Sequence, residues 1–154
     1  MRLLILGGGG HGSVCKEIAE SKNEYEVIDI ADDGAPDCPV TIKEFLAHAS
    51  AFKNKYDGFF VGVGNKDLRR KLIETIERNG LFSPTLISPA AFVSKSAKIG
   101  NGVFIGHGAI VNSNSVVGDY AILGIGSLVE HNSTVLPDAY LRFGEKVGTN
   151  EIKE

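Results

Sequence analysis

The sequence has only two cysteines, little net charge and no long apolar run, and each shortage excludes something. Cys15 and Cys38 match no metal-ligand spacing, so they read as reduced thiols and no metal is expected. A net charge of −3 on 154 residues gives no electrostatic reason to expect nucleic acid or an anionic membrane as partner. No apolar stretch approaches the roughly 18 residues that span a bilayer. Leu3–Leu6, behind one arginine, is too short for the core of a signal peptide, so a cytoplasmic location is the expectation. What the chain does have is glycine, 19 residues of it, distributed differently in its two halves.

Residues 1–84 alternate short apolar runs with helical patterns. Arg2–Leu6 suits a buried parallel strand, and Ser13–Ser21 a helix with Val14, Ile18 and Ala19 inward. Glu26–Ile30 reads as a second strand. Thr41-Ile42-Lys43-Glu44 is a capping-box pattern opening a helix with Ile42, Phe45, Leu46 and Ala49 inward. Gly58–Val63 reads as a third strand, and Lys66–Asn79 as a helix stopped by Gly80. Leu81–Ile87 is either a last strand or a passage to the next domain. Such alternation predicts a small Rossmann-like α/β domain with a parallel sheet and right-handed crossovers.

In residues 85–154 the period becomes six. Aliphatic residues occupy Ile87, Val93, Ile99, Ile105, Val111, Val117, Leu123, Val129, Val135, Leu141 and Val147 without a gap. A small residue usually follows four positions later, as at Ala97, Ala109, Ser115, Ala121 and Ser133. Glycine often follows directly, as at Gly100, Gly106, Gly118 and Gly124, where it is expected to tolerate the backbone of a corner. Hexads signal a left-handed parallel β-helix in which three hexads, 18 residues, complete one triangular coil. Stacked coils bury their core only against neighbours, so trimerisation through the flat sides is expected.

Both halves, in this order, resemble the bacterial sugar acetyltransferases of the NeuD and PglD kind. The resemblance rests on Gly8-Gly9-Gly10-His11-Gly12 after the first strand, Asp32-Asp33 after the second and Gly64-Asn65 with Arg69 after the third. The hexads and Val129-Glu130-His131 complete it. It implies a nucleotide-sugar-binding domain over residues 1–84, a β-helix over 85–154, acetyl-CoA as cosubstrate, and a homotrimer. The physics of the first domain agrees. A glycine turn entering a helix offers backbone N–H groups to a phosphate, although this run is not the G-x-G-x-x-G fingerprint. Gly9, Gly10, His11, Asp32, Asp33, Gly64 and Asn65 are therefore the candidate substrate-binding residues. Tight turns at the glycines and at Asp32-Asp33, and a helix N-cap at Asn65, are the competing accounts. A solvated helix face is the competing account for at least one of Arg69 and Arg70.

Acetyl transfer from a thioester to an amine needs positioning and a general base with a pKa near neutrality, which points to histidine. Of His11, His48, His107 and His131, the resemblance singles out His131 as base, flanked by Glu130 and Asn132. His107 and His131, 24 residues apart, are expected on different faces, and His131 stacks over Ser113 and Lys95 at intervals of 18. Asn132 departs from the family, which follows the histidine with Asp or Glu. A second departure is an apparently shortened β-helix whose repeat decays past His131, at Leu136, Arg142 and Glu145. The expected activity is N-acetylation of a UDP-linked amino sugar. Two other readings use the same residues: a non-catalytic homologue that keeps the nucleotide-sugar pocket and the trimer, and a sugar O-acetyltransferase.

Overall fold

The structure is a computed structural model that describes residues 1–154. The chain divides into two compact units, Met1–Pro84 and Thr85–Glu154.

The first unit runs β1 (Arg2–Leu6), α1 (Gly10–Ser21), β2 (Val27–Ala31), α2 (Ile42–His48), β3 (Gly58–Val61) and α3 (Lys66–Arg78). The sheet is parallel, in the order β2-β1-β3. The central strand explains the unbroken apolar run: Leu3, Leu4, Ile5 and Leu6 are all fully buried, because both sheet faces are covered. α1 starts three residues before the expected Ser13, with Gly9 as its N-cap. Glycine's weak helix propensity hid that extra turn. Its inward residues are Gly12, Cys15, Ile18 and Ala19, and Val14 is only half-buried. The capping box at Thr41 and Glu44 is present in both directions. Asn65 caps α3 through Oδ1, which accepts the Leu68 N–H at 3.0 Å. Gly80, at φ +58°, takes the left-handed turn after that helix. Leu81–Thr85 forms no strand, so this stretch is the passage between units. Only one backbone bond, from the Phe59 N–H to the Phe82 carbonyl, ties it to β3.

The second unit is a three-sided parallel β-helix, as the hexads required. Each side is a sheet of four two-residue strands paired at intervals of 18, such as Phe104–Ile105 with Ile122–Leu123. The aliphatic series points inward and is fully buried from Ile105 to Leu141. From Val103 to Ala139 the residues at the small position are buried beside it, and Ser115 and Ser133 donate their hydroxyls to the Glu130 and Gly148 carbonyls.

Two expectations change. Gly100, Gly106, Gly118 and Gly124 do not have positive φ. They are needed because the next coil is too close. A Cβ at Gly118 would lie 2.5 Å from the Pro137 nitrogen. The left-handed corner lies two residues later, at Gly102, Gly108, Asn114, Tyr120, Gly126, Asn132, Asp138, Gly144 and Asn150, all at φ 58° to 66°.

The repeat also does not decay past His131. Strands Thr134–Val135, Tyr140–Leu141, Lys146–Val147 and Ile152–Lys153 keep the register. Glu145 at a small-residue position and Lys153 at an aliphatic position form an ion pair, so the out-of-pattern charges neutralise each other. The Lys153 bond, helped by the Arg142 N–H, holds the Glu145 carboxyl below the usual carboxylate range.

Candidate functional site

At the C-terminal ends of β1, β2 and β3 lies a cavity of about 400 Å³, the position where open α/β sheets place ligands. Gly7 through His11 form one wall, Asp32 and Asp33 a second, and Gly62, Val63 and Gly64 a third, with Ile42 and Leu68 adding apolar surface. Gly7, at φ +117°, ends β1, and the chain then turns into α1. At Gly9 and Gly10 an added Cβ would meet nothing within 4 Å, so the backbone there is open to the cavity. α1 has no side-chain cap and no acidic residue in its first turn. The first N–H groups of a helix have no intrahelical acceptor and carry its positive dipole end, which makes this turn receptive to an anion.

Asp32 holds the loop in place. Its Oδ2 accepts the Gly8 N–H at 2.8 Å, and its Oδ1 accepts the Gly34 N–H at 2.7 Å. Those bonds, Gly34 first and then Gly8, lower its pKa below the ordinary value. A carboxylate stabilised in this way contributes stability above the ordinary carboxylate range, and the contribution is lost as pH falls through the lowered pKa. Urea unfolding should therefore show Asp32→Asn weaker than the parent at pH 7. That difference should shrink below about pH 4. A pH-independent difference would contradict this account. Asp33 is exposed, and its Oδ1 accepts the Lys43 N–H at 3.1 Å.

His11 lines the cavity, half-buried, with Nε2 3.7 Å from the Cys15 sulfur. Burial first, and the Arg69 cation second, push its pKa down to about 4. At pH 7 it is a neutral hydrogen-bonding ring rather than a charge. Arg69 is buried and Arg70 exposed, so the solvated-face account holds for Arg70 alone. Gly64 lines the cavity, whereas the Asn65 side chain is engaged in capping α3. Gly62, Ile42 and Leu68 were not singled out in the sequence, where they read as ordinary strand or helix residues. Cys15 is buried and Cys38 half-buried, and both are free.

The second constellation lies on one corner of the β-helix. His131 is exposed and has a partner at each ring nitrogen. Asn132 Nδ2 is 3.0 Å from Nδ1, and Thr149 Oγ1, one coil on, is 3.4 Å from Nε2. Asn132 occupies the left-handed corner position at φ 59°, a conformation Asn tolerates. Its amide can turn either end to the ring, donating to a bare Nδ1 or accepting from an Nδ1–H. The second orientation leaves Nε2 unprotonated, with the Thr149 hydroxyl 3.4 Å away as its donor. Glu130 does not touch the imidazole. Its Oε2 accepts the His131 backbone N–H at 3.1 Å and Asn112 Nδ2 at 3.2 Å. His107 stands on a different corner, its Nδ1 2.7 Å from the hydroxyl of buried Ser88. That hydroxyl also accepts the Ala90 N–H at 3.0 Å. His48 is exposed at the end of α2.

Comparison with known proteins bears out the resemblance. Residues 2–76 match the family described as the PglD N-terminal domain. UDP-N-acetylbacillosamine N-acetyltransferase of Bacillus subtilis (strain 168) is 29% identical over 114 residues, 66% of this chain. The match spans about half of that relative's length, 49%. Among solved structures, a histidine-to-asparagine variant of perosamine N-acetyltransferase from Caulobacter crescentus, with CoA and GDP-perosamine, is similar in fold. Its TM-score is 0.67 at 21% identity, over 99% of this chain and 90% of that one. The acetyltransferase domain of PglB from Neisseria gonorrhoeae FA1090, with acetyl coenzyme A, gives 0.64 at 24% identity, over 98% and 92%.

Proposed function

We propose, for a chain that matches the PglD N-terminal domain over residues 2–76 and resembles the NeuD and PglD sugar acetyltransferases along its length, that it transfers acetyl from acetyl-CoA to the amino group of a UDP-linked sugar. The observation that carries this reading is His131, an exposed imidazole with a hydrogen-bonding partner at each nitrogen on a β-helix corner. The amine attacks the thioester carbonyl, the new C–N bond forms and the C–S bond breaks. His131 takes the proton from the nitrogen and returns it to the departing thiolate. No metal is required, because the thioester is already activated.

In the first unit the open backbone at Gly9 and Gly10, beside His11, receives the diphosphate. Asp33, with one oxygen uncommitted, and the remaining lone pairs of Asp32 accept from the base and ribose. Gly64 borders that pocket, and Asn65 fixes the helix behind it. Assembly as a homotrimer would cover Phe92, Ile110 and Leu128 on one β-helix side, and Ile125 and Phe143 at the adjoining corner. All but half-buried Leu128 are exposed. A cytoplasmic location goes with the cosubstrate. The test is product analysis after incubation with acetyl-CoA and a UDP-linked amino sugar. An acetyl group that resists hydroxylamine supports the amide. A hydroxylamine-labile ester supports O-acetylation instead, and nucleotide-sugar binding without product supports the non-catalytic reading.

Asn132→Asp provides a sharper check. Aspartate fits the corner, since Asp138 occupies an equivalent one at φ 59°. Its charge would stabilise the imidazolium and force the Nδ1–H tautomer. The acid limb of kcat/KM should move to higher pH, and the plateau rate should rise by about tenfold. An unmoved limb in the pH–rate profile would argue against Asn132 as the partner of the base.

A further inference from the structure

The Glu130 carboxylate has no hydrogen bond to the His131 ring, and what it does touch defines a different role. One oxygen, Oε2, accepts both the backbone N–H of His131 and the side-chain amide of Asn112. Asn112 lies 18 residues earlier, directly stacked on Glu130 by the coil repeat, and its own N–H is bonded to the Val129 carbonyl. Its Oδ1 is also committed, to the Ser113 N–H at 2.8 Å. The amide is therefore held at one end, and Nδ2 is directed at the carboxylate. A carboxylate without such a partner would rotate freely, and the N–H of an exposed corner residue would bond water instead.

We infer that Asn112 is a positioning residue for the acetyl-transfer reaction: it holds the Glu130 carboxylate against the His131 main chain, and so fixes the direction in which the imidazole leaves the corner. This rests on the reading of His131 as base. Asn112 acts through Glu130 and the backbone, and touches neither substrate nor reacting atoms. Placement matters because a base displaced by about 1 Å loses on the order of a hundredfold in rate.

The test exchanges charge at constant shape. In Asn112→Asp the Ser113 bond is kept, but the donor to Glu130 becomes a second carboxylate. Two carboxylates at this distance share a proton with difficulty above neutrality and readily below it. The variant should lose about tenfold in kcat at pH 8 with little change in either KM, and the loss relative to the parent should narrow as pH falls toward 5. The double variant Asn112→Asp/Glu130→Gln restores a donor–acceptor pair with its polarity reversed, and should recover most of the rate with no pH-dependent ratio. Amide hydrogen exchange at His131 reads the same device without turnover. Its protection should fall in the single variant at pH 8 and return in the double variant. A rate ratio of single variant to parent that is independent of pH, or lost protection with kcat unchanged, overturns the inference. His131→Ala run alongside separates the two readings. Turnover surviving that change sinks the base assignment, while the exchange measurement still judges Asn112.

Discussion

His131→Ala should reduce kcat for acetyl transfer by about 10²–10⁴-fold while leaving nucleotide-sugar binding unchanged. That range is what a positioned general base contributes. The asymmetry follows from where the residues lie. His131 is on a corner of the unit Thr85–Glu154, whereas the glycine loop and its cavity belong entirely to Met1–Pro84. The side chain is exposed and borders the left-handed corner at Asn132 without occupying it, so its removal costs little stability. Steady-state kinetics with calorimetry of UDP binding separate the two effects. A variant that loses binding and rate together would point to misfolding rather than to a missing base.

Gly12→Ala should be the most damaging small substitution in the first unit. A Cβ there would lie 1.9 Å from the Gly7 carbonyl oxygen, with the Gly62 carbonyl oxygen also within 3.5 Å. Both neighbours are backbone, so neither can move aside as a flexible side chain would. α1 would have to retreat from β1, which opens the turn that forms the cavity. Overpacking typically costs about 1–3 kcal/mol, and contact with rigid backbone places this case at the upper end or beyond. For a unit of this size that corresponds to a Tm lower by roughly 10–20 °C, together with loss of nucleotide binding. Gly9→Ala is the control, because its Cβ meets nothing within 4 Å and its backbone is extended. Its Tm should match the parent's. Equal Tm values for Gly12→Ala and Gly9→Ala would contradict the packing argument.

Architecture was legible because it is written in periods. An aliphatic residue every six positions cannot satisfy a helix or an alternating sheet. The 18-residue stack that follows from it also placed His131 over Ser113 and Lys95 in the coil repeat. Reasons at single positions were less legible. Gly118 and Gly102 are the same residue type in the same repeat, yet one is required by the nearness of Pro137 and the other by a positive φ. Composition does not separate these causes; only the position of the corner does. Asn132 stands where the family has Asp or Glu, and its left-handed backbone gives it a structural role as well. Glu145 and Lys153 broke the pattern singly and kept it as a pair, a compensation visible only once the coil brings them together. In the first unit, Arg69 and Arg70 are adjacent and chemically alike. Helix phase alone buries one and exposes the other. Asn112 could have been found by stepping back 18 residues from Glu130. It was missed because the sequence supplies the stacking but not the direction of an amide.

The most direct test is release of CoA thiol with acetyl-CoA and a UDP-linked amino sugar, measured for the parent and for His131→Ala under identical conditions. The account predicts steady turnover in the parent, dependent on both substrates, and at least a hundredfold loss in the variant. A parent that binds the nucleotide sugar but releases no thiol, or a variant that turns over at the parent's rate, would contradict it.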